Sequence, residues 1–237
     1  MRAAHLFLIF ILGLACPYAH AELENESEAG VVVTSGNTRT QSVSFKQRTR
    51  YEWLKNVLGI NGSFLQTKNG GVLTAKRWDF QLRYERELSE KLNVIVAEGV
   101  QSDRFAGYLQ RLNSDLGPRY IIAREPDLYE VVGEITFRLS REIKTTGVRE
   151  FRQQGRLFTE YNRQWSSTAS SRFWAEFIPS LRTLRDWEFR SELSSSAAFN
   201  AIFSLKVAYL LKYDNVPATE TALKRDAEFT TSLVAKF

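Results

Sequence analysis

After Ala21 the sequence contains no cysteine and no histidine, because Cys16, His5 and His20 all come before that point. No thiolate or imidazole is left for a zinc or iron site, a cysteine nucleophile, or the histidine base of a Ser-His-Asp arrangement. Hydrolases that depend on histidine are excluded, so the sequence reads as a non-enzyme with no cofactor and no metal. Carboxylate-only catalysis is chemically open, but among 27 acidic residues some suggestive pairs arise by chance. No run after Ala21 approaches the roughly 18 to 20 apolar residues of a membrane helix. Blocks of Lys or Arg are also missing, and a net charge of +5 spread along alternating segments is not a nucleic-acid footprint.

Aromatic residues, by contrast, are plentiful, with 16 Phe, 9 Tyr and 5 Trp. The first 21 residues read as a cleaved secretory signal: Arg2, then "LFLIFILGLA", then the small-residue site Ala19-His20-Ala21. A lipid on Cys16 is the competing reading, but Gly13 and Leu14 fit poorly before a lipidated cysteine. Residues 22–237 then form one unit, and a cysteine-free exported chain suits an oxidising route on which no disulfide is needed.

From Glu28 onward the chain is a succession of period-two runs separated by turn-like clusters, with no helical period between them. About twelve runs can be counted, within a range of ten to fourteen. In one, Trp78, Phe80, Leu82 and Tyr84 face one way and Asp79, Gln81, Arg83 and Glu85 the other. Tight connections ("WLKN", "LSEK", "REPD", "WSSTA", "FNAIF") alternate with looser ones ("KNGGVLT", "RFAGYLQ", "REIKTTG", "DNVPATETALK"). That is the arrangement of an outer-membrane barrel with short periplasmic turns.

Alternation alone does not say which face is inside. A soluble sandwich or ligand-binding barrel buries the apolar set, whereas a membrane barrel shows it to lipid. Three features favour the membrane. The runs exceed the five or six residues of an average soluble strand and meet the roughly ten needed to cross a bilayer. Aromatics recur near run ends, at Trp53, Trp78, Phe105, Tyr129, Trp165, Phe173, Trp187 and Phe199, as an interfacial girdle requires. Finally, "TTSLVAKF" ends on Phe237, an aromatic close like that of many outer-membrane barrels, where the last strand carries the assembly signal.

The stretches "SGNTRTQSVSF", "LRYERELSEKL", "SDRFAGY" and "DAEFTTSLVAKF", in that order, resemble the YdiY-like salt-induced outer-membrane proteins, a domain family of unknown function. The resemblance implies an outer-membrane β-barrel whose expression is linked to salt stress. The chain departs from it at "LGPRY", where Pro118 removes a ladder donor, and Pro179 poses the same difficulty. Each should mark a bulge or a broken pairing. Glu98 has lipid-facing parity, so a bulge near Ala97 is expected to turn it inward. "SGNT" (35–38) reads as a hairpin loop, and Asp103 and Arg104 in "SDRFAGY" as a strand end beside a turn.

A mechanism could live only on the inward face. By parity it carries Arg48, Arg50, Asp79, Arg83, Glu85, Asp115, Arg119, Glu130, Glu134, Arg138, Arg156 and Glu160. Mixed signs on neighbouring strands point to an ion-paired filling, where a single-sign stripe would point to a selective pore. About twelve strands is intermediate between a filled eight-stranded barrel and a wide sixteen-stranded channel. The expectation is therefore an all-β, transmembrane, antiparallel up-and-down barrel in the outer membrane, acting as a narrow, weakly selective path for small solutes or ions. A closed structural barrel with surface-binding loops and a soluble periplasmic ligand-binding barrel are the alternatives. The expected partners are outer-membrane lipid, the assembly machinery and a small solute or ion.

Overall fold

The structure, a computed structural model, describes residues 21–33, 40–217 and 223–237. The expected signal segment, apart from Ala21, and the "SGNT" loop lie outside these residues. Twelve strands follow one another: β1 Ala21–Val33, β2 Thr40–Trp53, β3 Asn56–Asn69, β4 Val72–Ser89, β5 Leu92–Asp103 and β6 Tyr108–Glu125 make one half. The other half is β7 Tyr129–Lys144, β8 Arg149–Gln164, β9 Ala169–Pro179, β10 Trp187–Ala198, β11 Phe203–Asp214 and β12 Arg225–Lys236. Each pairs antiparallel with its neighbours in sequence, and β1 pairs with β12 to close the barrel. Closure removes the free edges that an open sheet of this length would expose.

Local chemistry explains the hairpins. At the β3–β4 turn Gly70 (φ 56°) and Gly71 (φ 85°) occupy the two central positions, both in the left-handed region that a type I′ turn requires. Consequently "KNGGVLT" is a tight turn and not the looser loop expected. In "RFAGYLQ" the turn is confined to residues 104–107 before β6 begins, and in "REIKTTG" β7 runs on to Lys144. The first strand also begins earlier than the expected Glu28: Ala21 to Ser27 extend it downward along β2, Ala21 opposite Trp53.

The two prolines break pairing without shifting register. Between Leu116↔Phe137 and Arg119↔Glu134 the β6–β7 ladder has no partners at Gly117 and Pro118. The β8–β9 ladder similarly stops at Leu157↔Phe177, and a lone bridge, Gln154↔Ser180, resumes it beyond Pro179.

The burial pattern is inverted relative to a soluble protein. Phe45, Phe80, Phe137, Leu193, Tyr209 and Phe229 are exposed, while Glu134, Arg111, Glu142, Glu188 and Arg138 are buried. Charges therefore fill the inside and apolar side chains coat the outside, as in a barrel whose surroundings are hydrocarbon. Aromatics cluster at both rims: Tyr51 stacks on Trp53 at one end, and Trp187 stacks on Tyr213 at the other, ring centroids 5.0 Å apart.

Glu98 corrects the expectation made for it. No register shift occurs near Ala97. Glu98 pairs with Leu82 on one side and Ser114 on the other, faces outward, and accepts a hydrogen bond from the Ser114 hydroxyl at 2.9 Å. Its exposed carboxylate is held by a neighbouring side chain on the same face, so the strand has no need to bulge.

Candidate functional site

The twelve candidate positions all lie on the lumen face, but the structure divides them. Seven join one network. Glu134, 2% exposed, accepts from Arg83 at 2.6 and 3.2 Å, from Arg119 at 3.1 Å and from Arg156 at 2.8 Å. Arg83 also reaches Glu85 at 2.8 Å. Arg156 and Arg138 share Glu176, and Arg138 grips Asp115 with two hydrogen bonds of 2.7 and 2.8 Å. A carboxylate that takes three guanidinium groups has its charge and its lone pairs satisfied, which offsets the cost of burying it.

The other five stand apart. Arg48 and Arg50 on β2 lie 3.7 and 3.8 Å from Glu26 and Glu24 on β1, and Arg50 also reaches Glu52 at 2.5 Å. Asp79 is held by the Ser63 hydroxyl, Glu160 by Arg172 and Asn162, and Glu130 by Arg124 near the β6–β7 turn.

A second buried network was not anticipated. Arg111 bridges Glu142 at 2.6 Å and Glu188 at 3.2 Å; Glu188 also takes Arg152 and Arg190, and Arg152 reaches Asp186 at 2.5 Å. Glu142 sits in "REIKTTG", which reads as a loop in the sequence, whereas Arg111 lies in a period-two run with the same parity as Asp115. Continuing the period-two pattern into "REIKTTG" would have placed Glu142 inside, and the parity of Asp115 already points Arg111 inward.

Together the two networks coat the wall made by β6 to β10, which Arg83 and Glu85 of β4 reach across the lumen. The inward side chains of β3, by contrast, are Val57, Gly59, Asn61, Ser63, Leu65 and Thr67, with no charge among them. The lumen is therefore lopsided, with one ion-paired wall and a narrow neutral strip along β3 between the charged side chains of β2 and β4. A cavity of about 1550 Å³ occupies it, lined at one end by Asp127, Leu128 and Gln164 and at the other by Ala106, Pro217 and Leu223. Two ion pairs cross this space: Arg77 of β4 to Glu228 of β12, and Lys46 of β2 to Glu192 of β10 at 3.5 Å. Among the described residues no cluster of His, Cys, Asp or Glu could hold a metal ion.

Two inward aromatics, Phe158 and Trp174, stack at 6.2 Å on the β8–β9 wall, with the Arg156 guanidinium 4.7 Å from the Phe158 ring. Trp174 is the one lumen-facing tryptophan, since Trp53, Trp78 and Trp187 face outward and Trp165 sits at the rim. With Trp165 already replaced by phenylalanine, the emission that acrylamide quenches and brominated lipid does not should disappear in Trp174→Phe. If that emission persists, Trp174 does not face a water-filled lumen.

The scan of protein families matches residues 27–237 to a family described as "Protein of unknown function, DUF481". The chain belongs to that family. This DUF481 protein matches no curated protein. Among solved structures it is similar to the NanC porin, at 8% identity and a TM-score of 0.53, covering 91% of this chain and 99% of that one. It is also similar to the KdgM porin, at 6% identity and a TM-score of 0.50, covering 90% of this chain and 98% of that one. At such identities the likeness is one of fold: a porin-type, twelve-stranded closed barrel.

Proposed function

We propose that this DUF481 barrel lies in the bacterial outer membrane and passes small solutes or ions along the β2–β4 side of its lumen. The observation that carries the reading is the cavity lined by residues at both ends of the barrel, running beside the uncharged inward side chains of β3. The ion-paired wall acts as scaffold. Arg77–Glu228 and Lys46–Glu192 act as the constrictions, because they tie the β2–β4 side to β12 and β10 across the cavity. Charges of both signs on the path give weak selectivity. Porin-type relatives in fold support a transport role, and the exposed side chain of Phe237 suits an assembly signal read from the last strand. Outer-membrane lipid and the assembly machinery are the expected partners, and the YdiY-like resemblance adds expression linked to salt stress.

Conductance in planar bilayers tests the proposal. Unitary conductance should be measurable in the unmodified protein. It should rise when Arg77→Gln and Glu228→Gln are combined, because both neutral side chains are free to leave the lumen axis. Neutralising Arg138, held in the wall by Asp115, should change it little. A silent bilayer in both proteins would leave the closed structural barrel, the reading that the crossing ion pairs favour. A soluble ligand-binding barrel is disfavoured by the exposed apolar belt. It would show itself as protein that stays in solution without detergent and lacks a heat-modifiable gel shift.

A further inference from the structure

On β1 and β2 the outward face departs from the apolar pattern. Between Phe45 and the rim pair Tyr51 and Trp53, β2 presents Gln47 and Thr49; beside them β1 presents Asn25 and Ser27. The four are linked: the Ser27 hydroxyl donates to Gln47 Oε1 at 2.5 Å, Gln47 Nε2 donates to Thr49 Oγ1 at 3.3 Å, and the Thr49 hydroxyl donates to Asn25 Oδ1 at 2.8 Å. The flanks are flat, with Gly62 opposite Gln47 on β3 and Ala235 opposite Ser27 on β12. Around them stand exposed Leu23, Phe45, Leu233 and Phe237.

We infer that this patch is the interface of a twofold dimer between two copies of the chain within the bilayer, an inference that rests on the membrane reading above. Hydrocarbon cannot satisfy polar groups, so an outward polar cluster is favoured where protein covers it. The cluster is self-complementary. Asn25 Nδ2 has no partner among the described residues, while the oxygens of Asn25 and Gln47 each keep a lone pair. A copy rotated by 180° offers the missing acceptors and donors to the same residues, which is the condition for an isologous contact. Gly62 points the same way. A Cβ there would meet nothing nearer than the Asp79 carbonyl oxygen at 3.7 Å, so the barrel has room for a side chain. The flatness serves an approach from outside.

The test uses the full chain in vesicles at low protein-to-lipid ratio, with flotation checked first; protein that does not float overturns the membrane reading before the dimer is examined. Ala29→Cys, beside the patch, should form intermolecular disulfides at least about tenfold faster than Ile135→Cys on the opposite wall. Adding Asn25→Leu with Gln47→Leu, or separately Gly62→Leu, should suppress that cross-linking about tenfold while the heat-modifiable band shows the fold intact. Equal rates at Ala29→Cys and Ile135→Cys, or a rate untouched by these substitutions in folded protein, overturn the proposal.

Discussion

Glu134→Ala should be among the most destabilising single substitutions in the barrel, costing about 3 to 5 kcal/mol by analogy with breaking other buried ion pairs. The carboxylate collects Arg83, Arg119 and Arg156 from β4, β6 and β8, and its side chain is almost fully enclosed. Truncation leaves three guanidinium groups converging on an empty space, each stripped of a charge-assisted hydrogen bond and each repelling the others. Glu134→Gln keeps an acceptor oxygen without the charge and should fall between wild type and alanine. Lys55→Ala, which removes the exposed pair with Glu87 at 3.8 Å, should stay within about 0.5 kcal/mol. Urea titration of the folded, heat-modifiable band in vesicles measures all three. A Glu134→Ala midpoint indistinguishable from that of Lys55→Ala would show that the network does not hold the barrel.

Why does the sequence place Glu134, Arg83, Arg119 and Arg156 on one face without showing that they pair? Strict alternation assigns faces: Tyr129, Val131, Ile135 and Phe137 go outward, so Glu130, Glu134 and Arg138 go inward. The prolines at 118 and 179 announce missing hydrogen bonds by their chemistry, and the ladders are indeed interrupted there. Partnership is different, because Arg83 reaches Glu134 across two intervening strands and Arg77 reaches Glu228 only through barrel closure. Neither relation exists along the chain. Glu98 shows where a general rule misleads. The cost of a carboxylate in lipid argued for an inward bulge, but local register kept it outward and Ser114 supplied its hydrogen bond. Residues 21–27, "AELENES", show no run of alternating apolar side chains, yet they belong to the first strand. Its pairing with β2, including Glu24 and Glu26 facing Arg50 and Arg48, is a relation between strands that a single run cannot display.

Gly117→Ala should prevent normal assembly or cost about 3 kcal/mol or more, although it adds only one methyl group. A Cβ at Gly117 would lie 2.1 Å from the Ile135 carbonyl oxygen and 2.8 Å from the Thr136 Cα, both backbone atoms of β7 that cannot rotate away. The adjoining Pro118 has no N–H to give, so β6 and β7 approach each other here without ladder bonds. Relieving the clash means pushing the strands apart between Asp115–Arg138 and Arg119–Glu134, at the centre of the ion-paired wall. Gly30→Ala should be milder: its nearest obstacle at 2.6 Å is the Ser44 hydroxyl oxygen, which can turn aside, although the Thr231 carbonyl oxygen at 3.0 Å must also yield slightly. Gly99→Ala, with nothing nearer than 3.7 Å, should be close to neutral or slightly favourable. The yield of heat-modifiable protein on refolding into vesicles orders the three. Gly117→Ala refolding as well as Gly99→Ala would mean that β6 and β7 do not meet so closely, and that the proline there interrupts hydrogen bonding without drawing the strands together.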